Sequence, residues 1–140
     1  MRSSLSLLAL AGAASAHFVL KHPESVGDSD STADQAPCGG YEPDISEGSA
    51  ELVDVHVGGE ALALVLTHSR ATWLFRATLN SSVDDANWER LYPNTVQSGL
   101  GDFCIPSLTY PDSWAGKRGV IGVVSSAEDG QLYQVRHTLL

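Results

Sequence analysis

Glu51-Leu52-Val53-Asp54-Val55-His56-Val57-Gly58-Gly59-Glu60-Ala61-Leu62-Ala63-Leu64-Val65-Leu66-Thr67-His68 reads as extended chain from one end to the other. Val53, Val55 and Val57 alternate with Asp54 and His56, a period of two that makes one apolar and one mixed face. Gly58-Gly59 supplies a hairpin turn. Glu60 to Thr67 returns as a strand with Leu62, Leu64 and Leu66 on one face, and His68 falls at its end. Thr72 to Leu79 repeats the pattern with Trp73, Phe75, Ala77 and Leu79 on one side; helix propensity is permissive there, yet aromatic and β-branched residues favour a strand.

Outward from this stretch the same signals recur. Gly119 to Val124 is a buried strand, Glu128-Asp129-Gly130 a turn, and Gln131 to Arg136 a closing strand. Asn80 to Leu100 is polar and turn-rich, with Trp88 and Tyr92 as anchors over the core, and the run from Gly99 to Pro106 leads through a second loop. Upstream, His17 to Leu20 is a short apolar edge strand. Lys21 to Gly48 then carries Pro23, Gly27, Pro37, Gly39, Gly40, Pro43 and Gly48 with Asp28, Asp30 and Asp34 among them, which is loop chemistry. A loop of that length inside a compact domain is functional or tied down, and Cys38 is the expected anchor. Short strands, frequent turns, no amphipathic helix and no internal repeat predict an all-β antiparallel β-sandwich with long loops.

The first sixteen residues read differently. Arg2 gives a basic start, Leu5 to Ala13 is too brief to span a bilayer, and Ala14-Ser15-Ala16 fits the small-residue preference of signal peptidase. The expected division is therefore a signal peptide over 1–16 and one domain over 17–140, long enough for a single core. Hydrophobic residues at 43% against 18% charged exclude a disordered chain. A formal net charge of −9 argues against nucleic acid, whose phosphates require Lys and Arg. Export also makes Asn80-Ser81-Ser82 a glycosylation acceptor pattern and favours pairing of the two cysteines, Cys38 and Cys104. That disulfide would close a loop of about 65 residues, worth on the order of 4 kcal/mol.

Cleavage after Ala16 makes His17 the first residue of the mature protein. It then offers a metal both its α-amino group and its ring Nδ1. An α-amino group has an ordinary pKa of about 7.7 to 8.0, so a modest driving force converts it to a ligand. Amine, Nδ1 and one further imidazole suit copper, which heads the divalent affinity series and accepts planar nitrogen sets. This histidine brace needs a second histidine delivered by the fold. His68 is the first choice, because strand ends and their loops carry the sites of sandwiches. His56 lies mid-strand beside Asp54, His22 stands five residues from His17, and His137 sits near the C-terminus.

His17-Phe18-Val19-Leu20 with Pro23, Gly27 and Pro37-Cys38-Gly39-Gly40 resembles the start of the fungal copper-acquisition proteins that look like lytic polysaccharide monooxygenases. Gly58-Gly59 before a strand ending at His68, and Gly99-Leu100-Gly101-Asp102-Phe103-Cys104 leading to Gly130-Gln131-Leu132-Tyr133, are similar to the same family. The resemblance implies an immunoglobulin-like or fibronectin-like β-sandwich of the monooxygenase type, secreted, and holding one copper ion on His17 and His68. It implies copper acquisition or homeostasis at the cell surface rather than catalysis, with a membrane copper transporter or cell-wall glycan as partner, and a monomer. The alternative is a copper-dependent monooxygenase acting on cell-wall glycans.

The family also uses an aspartate in a Cys-Ala-Asp run after the last strand, where this chain has Val135, Arg136 and His137. That departure removes an expected carboxylate and one cysteine. It leaves the partner of Cys38 or Cys104 in doubt and makes His137 a candidate neighbour of the metal. Asp102 is the nearest alternative carboxylate, though it also suits a turn cap beside Cys104. A GPI anchor is common in the family, whereas the chain ends at Leu140 without the spacer and tail of an anchor signal.

Overall fold

Residues 17–27, 30–79, 83, 87–128 and 130–140 are described in a computed structural model of the chain. The signal peptide expected over 1–16 with its expected cleavage point, and the glycosylation pattern at Asn80-Ser81-Ser82, lie outside the described residues.

Among the described residues, nine strands run in the order β1 (Phe18–His22), β2 (Val53–Asp54), β3 (Glu60–Leu66), β4 (Arg70–Thr78), β5 (Glu89–Arg90), β6 (Thr95–Ser98), β7 (Gly101–Leu108), β8 (Arg118–Ala127) and β9 (Gly130–Leu139). They form a three-stranded sheet, β1-β3-β7, facing a six-stranded sheet, β2-β9-β8-β4-β5, with β6 also paired to β4. All the pairings are antiparallel except β2 with β9.

The period-two faces predicted from sequence are the faces that meet. Leu62, Leu64 and Leu66 of β3 and Trp73, Phe75 and Ala77 of β4 are all buried in one core. Aromatic rings join the layers: Phe18 of β1 stands edge-on to Trp73 at 5.2 Å, and Phe103 of β7 stacks on Phe75 at 6.0 Å. Such pairs add about 0.5–1.5 kcal/mol each beyond the area they bury. Tyr92 meets Phe75 edge-on, and Trp88 lies under the Arg76 guanidinium at 4.3 Å, so both expected anchors pack on the large sheet.

Three strand expectations are corrected. Gly58-Gly59 does not join a hairpin: β2 pairs with β9 in the large sheet, while β3 pairs with β1 and β7 in the small one. The chain crosses between layers there, with the Val55 amide still bonded to Leu139 and the Val57 carbonyl already bonded to Tyr110. Alternation reports which face is buried, not which strand lies alongside. The run from 101 to 108 is a strand rather than a loop; Pro106 is tolerated because β7 is an edge. The polar segment before it also contains the short strands β5 and β6.

The expected disulfide is absent: no bond joins Cys38 to Cys104. Cys38 is buried with Val120 and Val135 on the outer face of the large sheet. Cys104 is exposed on β7 opposite Ala63, between the core residues Phe103 and Ile105, and so lies on the outer face of the small sheet. Two layers about 10 Å apart stand between the sulfurs, whereas a disulfide needs Cα atoms within roughly 7 Å.

Candidate metal centre

The register of β1 on β3 builds the site. Phe18 pairs with Leu66, which sets His17 opposite Thr67 and one residue short of His68. The Thr67 amide donates to the His17 carbonyl at 3.0 Å. The Thr67 hydroxyl donates to that same carbonyl at 2.6 Å and accepts from the His17 main-chain nitrogen at 3.2 Å. Beyond Thr67 the chain bends into β4, and the bend is fastened by the Gly99 amide donating to Ser69 at 2.7 Å.

Each imidazole is oriented through one nitrogen. His17 Nε2 lies 2.9 Å from Asp30 Oδ1, a contact that puts the proton on Nε2 and the lone pair on Nδ1. His68 Nδ1 lies 3.1 Å from the Arg70 carbonyl and 3.4 Å from the Arg70 amide; the shorter contact, to an oxygen that can only accept, favours the proton on Nδ1 and the lone pair on Nε2. Outer partners of this kind, carboxylate for one ring and backbone carbonyl for the other, fix the tautomer of metal-binding histidines. Asp30 was not singled out among the loop aspartates by sequence, because no spacing rule connects a turn residue to His17. Its loop is anchored on β9, where the Tyr133 amide donates to Ala33 at 2.8 Å. Gly39 permits that approach: it has φ of +67°, and a Cβ there would meet the Tyr133 carbonyl at 2.3 Å.

The fold separates the five histidines. β1 and β3 begin or end at the site with His17 and His68, whereas His22 and His56 lie at the Glu60 end. There Glu60 accepts from the His56 amide and pairs with His22 Nε2, each at 3.2 Å. The hydrogen bond to His22, then the one from His56, hold the Glu60 carboxyl below the usual range.

His137 is not a neighbour of His17, correcting the possibility raised by the C-terminal departure. β9 starts at the site end, and His137 lies roughly 20 Å along it at strand spacing. It is fully buried opposite Val120, with Nδ1 2.9 Å from Glu51. Burial pushes its pKa down, partly opposed by Glu51. Asp102 is exposed opposite Val65 on β7, on the face turned from the core.

Among the described residues no three His, Cys, Asp or Glu side chains form a metal cage. A metal at this end would call on the His17 main-chain nitrogen as well as the two rings. That donor set is chemically suited to copper, with Asp30 and the Arg70 carbonyl engaging His17 Nε2 and His68 Nδ1 from outside. Beside His68 lies a cleft of about 350 Å³ lined by Arg70, Thr72, Ser126 and Glu128.

The sequence of residues 15–135 matches the family described as copper acquisition factor BIM1-like. The chain belongs to the BIM1-like family. The chain is 33% identical over 139 residues to the lytic polysaccharide monooxygenase-like protein X325 of Yarrowia lipolytica, covering 94% of this chain and 51% of that protein. It is 29% identical over 113 residues to an uncharacterized protein of Aspergillus fumigatus, covering 80% of this chain and 45% of that one. The BIM1-like chain thus spans about half the length of these relatives. Its fold is that of the catalytic domain of the monooxygenase Lmo2467 from Listeria monocytogenes, with a TM-score of 0.58 at 19% identity, over 88% of this chain and 98% of that domain. The β-sandwich of the monooxygenase type is thereby established, and the family ties the chain to copper.

Proposed function

We propose that this BIM1-like protein is an extracellular copper-binding protein of the cell surface. In this reading, one copper ion is held by the His17 α-amino group, His17 Nδ1 and His68 Nε2 after cleavage behind Ala16. The observation that carries it is the pair of ring contacts at neighbouring strand ends, His17 Nε2 against Asp30 and His68 Nδ1 against the Arg70 carbonyl. Bound copper would supply a redox-active centre that can be carried and handed to a partner such as a membrane copper transporter. The chain's own residues orient the ligands: Thr67 holds the main chain of His17, and Asp30 and Arg70 hold the rings.

Copper capture and homeostasis are favoured over glycan oxidation by the surface near the site. Trp73 is buried in the core and Trp88 packs on Arg76. Among the described residues Tyr92 is the exposed aromatic, and it leans on Phe75. A flat aromatic platform for a polysaccharide therefore has no support beside His68. The test is copper affinity of His68→Ala in protein beginning at His17. The expected result is a loss of at least about tenfold, as a chelate reduced to two nitrogens requires; an unchanged affinity overturns the assignment of His68. Soluble oxidised oligosaccharides released from chitin or cellulose with a reductant would favour the oxidative alternative.

A further inference from the structure

β1 is the outer strand of its sheet, so the backbone groups of Phe18 and Leu20 that face away from β3 need partners. Gln134 supplies both from the opposite layer. Its side-chain oxygen accepts from the Leu20 amide at 2.8 Å, and its side-chain nitrogen donates to the Phe18 carbonyl at 2.7 Å. An accepted and a donated bond at residues two apart are what an adjoining strand would make. Gln134 lies on β9 opposite the core residue Val123, so its side chain reaches through the buried interior to the edge of the other sheet. One loop bond reinforces the junction, the Val26 amide donating to the Val135 carbonyl at 2.8 Å.

Residues at a chain terminus fray unless they are tied down. In the proposed mature protein His17 is the terminal residue, and the strand behind it is tied to the other sheet by the Gln134 bonds to Phe18 and Leu20. We propose that Gln134 is a positioning residue for the copper terminus, stitching β1 to β9 so that the His17 nitrogen stays in register with Thr67 and His68. The inference rests on the reading of His17 as a copper ligand. With Gln134 removed, β1 keeps its pairing to β3 and the Phe18–Trp73 contact but loses both backbone bonds to the large sheet, and His17 can chelate copper in orientations that His68 does not meet.

The experiment compares the copper(II) electron paramagnetic resonance spectrum and copper affinity of the wild-type protein beginning at His17 with Gln134→Met and Gln134→Glu. Gln134→Met removes both bonds, whereas Gln134→Glu keeps an acceptor for Leu20 and loses the donor to Phe18. A core variant, Ile105→Val, controls for general loss of stability. The expected result is an altered spectrum and about tenfold weaker binding in Gln134→Met, with an unaltered spectrum in Ile105→Val despite its lower thermal midpoint. Unaltered spectrum and affinity in both Gln134 variants, with a lowered midpoint, overturn the positioning role and leave the copper reading standing. A wild-type protein whose copper signal is insensitive to an added residue before His17 overturns both. Amide exchange in the copper-free wild type covers variants that fail to fold: Leu20 should be protected like the β8–β9 ladder, and fast exchange there overturns the inference.

Discussion

Thr67 engages both main-chain groups of His17 with one hydroxyl, donating to the carbonyl at 2.6 Å and accepting from the nitrogen at 3.2 Å. The residue just after β3 thus fixes the residue just before β1, and the next residue in the chain is His68. Two imidazoles more than fifty residues apart in sequence come to one end of the sandwich through a single strand pairing.

Thr67→Val keeps the β-branched shape and removes the hydroxyl. Copper affinity of protein beginning at His17 is expected to fall about tenfold, while Thr67→Ser, which keeps the hydroxyl, stays near wild type. Competition with a chromophoric copper chelator reads both. Equal affinity in Thr67→Val contradicts a role for that hydroxyl at the terminus.

Asp30 is largely exposed, so its contact with His17 adds little to folding. Asp30→Asn should leave the thermal midpoint unchanged and weaken copper binding several-fold, by about three- to tenfold, because a neutral amide oxygen accepts from Nε2 more weakly than the carboxylate does. Nitrogen chemical shifts of the His17 ring in copper-free wild-type protein report the tautomer directly. A wild-type ring protonated at Nδ1 with Nε2 bare contradicts the assignment.

His137 makes stability fall toward acid. Its folded pKa lies below the ordinary 6.5 because burial disfavours the imidazolium and Arg136 adds repulsion, with Glu51 and Asp44 opposing. The unfolded chain therefore takes up the proton first. This contribution is complete above about pH 6.5 and is lost as pH falls toward the lower folded value. Glu60, also depressed, acts in the same direction only below about pH 4.5. Urea unfolding at pH 7, 6 and 5 should show a declining midpoint that is flatter in His137→Leu; identical slopes would mean that His137 does not titrate across folding.

The two cysteines should differ in access. Cys104 is exposed and Cys38 is 2% exposed. With a thiol reagent such as dithionitrobenzoate, one thiol should react in the folded protein and a second only in denaturant. Recovery of a peptide linking Cys38 to Cys104 would contradict their placement on opposite outer faces.

Much of the sandwich was legible because burial in β-structure imprints a period of two. Leu62, Leu64 and Leu66, or Trp73, Phe75 and Ala77, can only sit on one face. Pairing left no such imprint, so β2 was joined to the wrong neighbour across Gly58-Gly59. The outer face of the large sheet was also hidden. Val135 and His137 are buried there, Val135 packing with Cys38 and Ile45 of the long upstream loop, and periodicity says nothing about which loop covers a face. The place of His68 just after a strand was readable, because the alternation of Leu62, Leu64 and Leu66 ends there. Asp30 and Gln134 were not, because both act through contacts whose sequence separation carries no pattern.

The central claim is that a free α-amino nitrogen on His17 is one of the copper ligands. Copper titration of protein beginning at His17, against protein carrying one extra residue before it, tests this most directly. The account predicts that the extra residue weakens binding by at least about tenfold and alters the copper(II) spectrum. Equal affinity and an identical spectrum in the two forms would contradict it.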